Sequence, residues 1–246
     1  MQLKTSTSVD RASDHMRRKI TSMQSMAVDL TRDLKILTRD RIEVGQGREI
    51  VKEGGGGGVV YLVESGWVLR SRTMAAGQRQ IINYALAGDL LCSDSLLFGA
   101  SGFDLIARTP VSLLRIDAPT FPAAMEKHRG LAASIAWTAG QEESILAERV
   151  VSLGRRDSLE KLAHALCELS ERLSVIGKMP ADLIEAPFNQ EDFADLLGIS
   201  VIHVNRTFRK LSEEKVAEYR KGRIELLDRN KLREIAGFNS DYLHFN

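Results

Sequence analysis

The spacing of apolar residues changes period along this chain, and each period predicts a different kind of element. Between Ile42 and Ile116 the apolar positions come in short runs: Ile42 and Val44, Ile50 and Val51, then VVYLVESGWVLRSRT, RQIINYAL, GDLL and LIARTPVSLLRI. Glycines break these runs at turn spacing, with Ala76-Gly77 splitting two of the longest. Short runs punctuated this way predict an all-β barrel or jelly-roll. Residues 1–27 are rich in Ser, Thr, Met and Arg and lack a clean period, which predicts a loosely ordered arm with any helix confined to its end. A short helix is expected from Asp29 to Thr38 on Leu30, Leu34 and Leu37.

Past Asp117 the period becomes helical. Phe121 to Lys127 reads as a connecting helix, opened by Pro119 and Pro122. The longer run from Leu131 to Leu153 carries two stripes. One is Leu131, Ile135, Thr138, Glu142, Ile145 and Arg149; the other is Ala139, Leu146, Val150 and Leu153. Two stripes suit two partners, a twin helix from a second copy and the chain's own β-structure, although an ordinary core helix has the same period. Gly154-Arg155-Arg156 interrupts the pattern as a hinge. Asp157 and Glu160 then have capping-box spacing for a helix bearing Leu159, Leu162, Ala163, Leu166 and Leu169. Met179-Pro180 and Ala186-Pro187 bound a loop leading to Asn189.

The segment NQEDFADLLGISVIHVNRTFRKL, Asn189 to Leu211, reads as two short helices around a tight turn. Phe193, Leu196 and Leu197 form the apolar face of the first, and Val204, Phe208 and Leu211 that of the second. Asn189 caps the first helix with Asp192 in capping-box position, Gly198 supplies a left-handed terminus, and Ser200 caps the second. From Val201 to Leu211 there are bases (Arg206, Arg209, Lys210) and a histidine but no acid. Val201, Ile202, Asn205, Arg206 and Arg209 point outward together. A DNA major groove needs that chemistry: arginine pairs bidentately with guanine, asparagine with adenine, and aliphatic side chains touch a thymine methyl. A helical hairpin with a solvated basic face has the same pattern, so the two helices alone leave both readings open. VAEYRKGRIEL then predicts two short strands around Arg220-Lys221-Gly222-Arg223, a basic hairpin suited to lie beside phosphates.

QEDFADLLGIS, HVNRT and GRIELLD, in this order, resemble the winged helix-turn-helix of the Crp/Fnr transcription regulators. SGWVLRSRTMAAGQRQIINYALAGDLL resembles that family's sensor domain, and GFNSDYLHFN resembles the terminus of its alphaproteobacterial members. The resemblance implies an α+β chain with a cyclic-nucleotide-binding-type β-roll (jelly-roll), a long dimerisation helix and a C-terminal winged helix-turn-helix. The implied boundaries are an arm at 1–28, the roll at 29–130, the dimerisation helix and hinge at 131–154, and the DNA-binding domain at 155–246. The stripe Leu131, Ile135, Thr138, Glu142, Ile145 and Arg149 is assigned to the twin helix. Arg206 is expected to read a guanine and Asn205 a neighbouring base, with apolar contacts from Val201 and Ile202. Asn189, Gln190, Ser200, His203 and Arg209 sit where the family contacts phosphates, and the wing adds Arg220, Lys221 and Arg223. The implied partners are double-stranded DNA, a second copy in a homodimer, and RNA polymerase.

Two departures stand out. Members that read the commonest family sites carry glutamate at the place of Ile202, so a different half-site is expected there. Lys215 occupies a place usually held by glycine; either it adopts the left-handed conformation or the recognition helix runs on.

The 246 residues are 43% hydrophobic and 27% charged with a net charge of +1, an ordinary globular composition in which local charge is the better guide. No apolar run approaches the ~20 residues that span a bilayer, and residues 1–30 lack the apolar core of a signal peptide, so a cytoplasmic protein without a membrane partner is expected. The five histidines (His15, His128, His164, His203 and His244) lie in unrelated segments without nucleophile or metal spacing, and no enzyme is expected. Cys92 and Cys167 stand far apart, too few for a four-thiolate iron–sulfur cluster.

Cyclic AMP is not expected as effector. The family holds the phosphate with a Gly-Glu pair after the Gly-Asp turn and with a later Arg-Ser pair; after Gly88-Asp89 those places read Cys92-Ser93 and Ser101-Gly102. Cys92 also matches the cysteine ligand of the family's haem-containing carbon-monoxide sensor, but Asp94 stands where its histidine would be. No cofactor is expected, with a haem or redox sensor using Cys92 as one alternative and a β-roll regulatory subunit of another protein as a second. The run Gly54 to Gly58 leads into a strand rather than a helix and predicts a mobile turn without a ligand.

Overall fold

The computed structural model describes residues 2–19, 30–127, 129–177, 182–220 and 222–244. Lys221 of the expected wing, His128, and the Met179-Pro180 loop boundary lie outside these residues. The chain divides into two compact units, Met1–Gln78 with Ile82–Glu142 and Arg79–Ile81 with Glu143–Asn246.

In the first unit, helices α1 (Gln2–Lys19) and α2 (Leu30–Leu37) precede eight strands among the described residues: β1 (Thr38–Val44), β2 (Glu49–Val51), β3 (Val59–Ser65), β4 (Val68–Thr73), β5 (Arg79–Ala85), β6 (Leu90–Leu91), β7 (Asp104–Ala107) and β8 (Val111–Asp117). They form two sheets, ordered β1-β8-β3-β6 and β2-β7-β4-β5. Between them pack Val63, Leu113 and Val111 from the first sheet and Val51, Val68, Leu105 and Ala107 from the second. Strand alternation sends Val60, Leu62, Leu114 and Ile116 to the other face of the first sheet, which the helices cover. The expected β-roll is therefore present.

Within the expected loose arm, residues 2–19 are instead the ordered helix α1, and 20–28 lie outside the described residues. Val9, Ala12 and Met16 are fully buried in a cluster with Leu34, Leu37 and Phe121 of α4 (Phe121–Lys127). Its inward face also carries Ser8 and Ser13, whose hydroxyl donates to the Val9 carbonyl at 2.6 Å. Val9, Ala12 and Met16 recur at helical spacing, but the buried serines between them dilute the hydrophobic signal. Arg11 lies 2.9 Å from the buried Glu64 carboxylate, which also accepts from Arg41 and Ser112 at 2.6 Å each. Burial raises the Glu64 pKa, but donors Ser112, Arg41 and Ser8 outweigh it and hold the carboxyl below its ordinary value. That stabilisation is present above the unfolded pKa and is lost as pH falls through the folded one.

The five-glycine run is also not a mobile tip. Gly54 N–H donates to the Ser101 carbonyl and Ser101 N–H to that of Gly55, both at 2.8 Å, and Ala118 N–H donates to Gly58 at 2.9 Å. Gly54, Gly56 and Gly58 take positive φ, while a Cβ on Gly57 would strike the Gly99 carbonyl oxygen. Conformation at alternate positions and lack of space at Gly57 explain why side chains are missing here.

Helix α5 (Arg129–Arg155) spans the division, and the second unit continues through α6 (Ser158–Val175), β9 (Leu183–Glu185), α7 (Gln190–Leu197), α8 (Val201–Glu213), β10 (Ala217–Arg220), β11 (Arg223–Leu226), α9 (Arg229–Ala236) and α10 (Asp241–His244). β10, β11 and β9 form an antiparallel sheet in that order. The predicted caps at Asp157, Asn189 and Ser200 are formed, with capping boxes at Asp157–Glu160 and Asn189–Asp192, and Asp228 caps α9 by accepting from Lys231 N–H. Helix α8 stops at Glu213 rather than running on. Lys215 takes φ 55°, and Val216 N–H closes the terminus on the Leu211 carbonyl at 2.8 Å.

The stripe assigned to a twin helix is occupied by the chain itself. Leu131, Thr138, Ile145 and Arg149 are buried, and Ile135 and Glu142 are half-buried, with Arg70 donating to Glu142 at 2.7 Å. The open stripe is the other one: Ala139 is exposed, Leu146 half-buried, and Val150 and Leu153 are 70% and 37% exposed. Periodicity finds two stripes but does not say which one the monomer covers.

Gly57→Ala should destabilise the chain by about 1–3 kcal/mol in urea unfolding, whereas Gly45→Ala, where an added Cβ meets nothing closer than Arg48 Cγ at 3.9 Å, should be near neutral. Lys215→Gly should stabilise by roughly 1 kcal/mol, because the left-handed strain disappears while the glycine adds freedom to the unfolded chain.

Candidate nucleic-acid interface

The helix pair is held by its ends and by one aromatic cluster. Asn189 Oδ1 accepts from Asp192 N–H at 2.8 Å, and Asp192 Oδ2 accepts from Asn189 N–H at 3.0 Å. Gly198 turns left-handed at φ 62°, and Ser200 Oγ accepts from His203 N–H at 3.3 Å. Phe193 packs edge-on against Phe188, Phe208 and Tyr219 with centroids 5.7, 5.3 and 6.3 Å away. That cluster joins the approach to α7, both helices and the first strand of the wing.

Burying Val204, Thr207, Phe208 and Leu211 leaves Val201, Ile202, His203, Asn205, Arg206, Arg209 and Lys210 exposed. Ile202 is 73% exposed and stands beside Val201, so two aliphatic side chains lie together on this face. Among the described residues Arg206 has no carboxylate partner, so its guanidinium fork is available. Arg209 lies 3.7 Å from Glu213, a solvated pair one turn away. Asn205 Nδ2 donates to the Val201 carbonyl at 3.1 Å, leaving Oδ1 as an outward acceptor. Ser200 Oγ sits 2.7 Å from His203 Nδ1, so the other ring nitrogen is the one left to face outward.

Asn189 is exposed and Gln190 half-buried at the start of α7. With its Oδ1 committed to the cap, Asn189 has its amide N–H groups left for a phosphate. In the wing, Arg220 lies 2.6 Å from Glu218 and Arg223 lies 2.8 Å from Glu185, so each carries its own counter-charge. The third strand, Leu183–Glu185, supplies one of those acids. The sequence reading missed it because three residues are too few to show a period.

The remaining candidates lead elsewhere. Cys92 is buried in the core between the sheets, where burial and then the Asp94 charge push its thiol up to about 12. Burial likewise takes Cys167 to about 12. Burial and then the Arg156 charge bring His164 down to about 4, a neutral imidazole against Phe238 and Tyr242. Among the described residues no group of three or more His, Cys, Asp or Glu side chains could hold a metal, and no helix is long and apolar enough to cross a membrane.

Comparison with known proteins places these features together. Residues 160–235 match the family model of the Crp-like helix-turn-helix domain, and residues 41–128 match that of the cyclic nucleotide-binding domain. The nitrogen fixation regulation protein FixK of Bradyrhizobium diazoefficiens is 32% identical over 176 residues, covering 72% of this chain and 73% of the relative. The transcriptional activatory protein AadR of Rhodopseudomonas palustris is 27% identical over 180 residues, covering 72% and 73%. The structure of FixK2 from Bradyrhizobium japonicum superimposes with a TM-score of 0.73 at 22% identity, covering 81% of this chain and 98% of that one. With its roll and its helix-turn-helix in the family's order, the chain belongs to the Crp/Fnr family of transcription regulators.

Proposed function

We propose that this regulator acts as a homodimer on a palindromic operator, reading each half-site with α8. The observation that carries the reading is the outward face of that helix, where an unpaired arginine, an asparagine acceptor and two exposed aliphatic side chains lie together without an acid from Val201 to Ser212. Arg206 reads a guanine, Asn205 accepts from a neighbouring base, and Val201 and Ile202 contact thymine methyls. Asn189, Gln190, Ser200, His203 and Arg209 hold phosphates around the helix, and Arg220, Lys221 and Arg223 extend the grip along the wing. RNA polymerase is the protein partner through which promoter occupancy becomes regulation.

The dimer seam is the open stripe of α5, Ala139, Leu146, Val150 and Leu153, flanked by the exposed small residues Ala136 and Ala147. Small side chains there allow two helices to approach closely, and pairing removes Val150 and Leu153 from water.

The roll works without cyclic AMP or haem. Asp94 Oδ2 accepts from Gly102 N–H at 2.8 Å, and its other oxygen accepts from Ser95 N–H at 3.1 Å. One carboxylate of the chain thus bridges the two stretches that would have to cradle a phosphate, so a second anion there meets repulsion rather than donors. Cys92 is buried among the aliphatic side chains of the core between the sheets, the place of a small packing residue rather than of an iron ligand.

Fluorescence anisotropy with operator fragments selected from genomic DNA tests the reading, and sequence-independent binding alone would contradict it. Arg206→Ala should cost about 1–3 kcal/mol on the selected operator and relax preference at one base pair. Arg220→Ala should weaken selected and random duplexes alike, by less than an unpaired arginine would. Val150→Glu should shift the protein to monomer in sedimentation velocity and weaken operator binding at least tenfold, because two carboxylates would face each other across the seam.

A further inference from the structure

We propose that the buried Arg149–Glu168 pair is a positioning device that fixes the direction of α6 relative to α5, and so sets which half-site spacing the dimer accepts. The inference rests on the dimer and operator reading above and goes beyond it, because it assigns the spacing to named side chains that touch no DNA.

Arg149 is 5% exposed and Glu168 1%. Arg149 Nη2 lies 3.3 Å and Arg172 Nη1 3.5 Å from Glu168 Oε1, and the Tyr242 hydroxyl donates to Oε2 at 3.2 Å. Nearby, Glu148 Oε2 accepts from Arg156 Nη2 at 2.9 Å and lies 3.3 Å from His164 Nε2. Helix α5, the turn after it, helix α6 and helix α10 are therefore joined through two carboxylates.

Apolar contact between two helices is non-directional and tolerates sliding and rotation. A buried ion pair does not, because moving either partner away leaves a charge in a dry interior. Apolar side chains of similar size would hold α5 and α6 together as well or better, so the pair restricts how they meet rather than how strongly. Helix α6 packs directly on α7 and α8, so any rotation at the α5–α6 junction is carried to the recognition helix. Symmetric half-sites must present themselves about 34 Å apart, and one inserted base pair shifts a half-site by about 3.4 Å and turns it around the duplex.

The test replaces the pair with an apolar one, Arg149→Met with Glu168→Leu, with urea unfolding to establish that the variant folds although Arg172 and Tyr242 lose a partner in Glu168. Wild type should prefer its selected operator over versions with one base pair inserted or removed by about tenfold or more, and the double variant by less than about threefold. A second readout needs no DNA. Cysteines introduced by Val151→Cys and Glu213→Cys carry spin labels, in chains diluted with unlabelled protein. Their distance distribution should be narrow with the pair in place and broad without it. If the double variant does not fold, Arg149→Lys, which keeps the charge and removes the planar fork, takes its place in both measurements. Unchanged spacing selectivity, or an equally narrow distribution, would overturn the proposal. Wild type that binds no duplex would instead overturn the operator reading, and the label distances would still decide the positioning role.

Discussion

Phe193 packs where the DNA-binding unit's separate pieces converge. Its ring meets Phe188 before α7, Phe208 on α8 and Tyr219 in the wing, and it is itself wholly buried. Burying one phenylalanine contributes about 2–3 kcal/mol by area, and edge-to-face contacts add about 0.5–1.5 kcal/mol each. Neither helix is long enough to be stable alone. Their geometry exists because the aromatic cluster holds both at one angle while Gly198 and Ser200 fix the turn between them. The outward face of α8 follows from this arrangement: with Phe208 and Val204 turned to the cluster, Ile202 and Arg206 have no place but the surface.

The roll uses a different solution. Its two sheets close over an aliphatic core, and α1, α2 and α4 cover the outside of one sheet. Two of its carboxylates are held locally, Glu64 by donors Arg41 and Ser112 with Arg11 2.9 Å away, and Asp94 by two backbone N–H groups. Asp94 gives the roll an anion that cannot leave.

The sequence made the DNA-binding unit legible because its signals are local. A capping box, a left-handed glycine and a four-three apolar period each fit within a few residues, and all appear where expected at Asn189, Gly198 and Phe193–Leu197. Elements whose logic is tertiary were hidden. Helix α1 buries Ser8 and Ser13 beside Val9, Ala12 and Met16, which dilutes its apolar signal, and the glycine run owes its order to hydrogen bonds from Ser101 and Ala118, far along the chain. The stripes of α5 were legible as a pair, but their assignment depends on what the rest of the chain covers. Arg149 illustrates the difference: spacing placed it at the seam, whereas its partner Glu168 lies on the next helix, inside the same protomer.

The acids beside the wing arginines have a consequence for how the protein finds its target. In the proposed reading, docking Arg220 and Arg223 on DNA would exchange the solvent-exposed partners Glu218 and Glu185 for phosphates, and so release fewer condensed cations than bare arginines would. That reading has the grip on arbitrary sequence weakened and Arg206, without a carboxylate partner among the described residues, kept for base recognition. A chromosome is almost entirely wrong sequence, and a regulator held lightly by it spends less of its time sequestered and more of it in search.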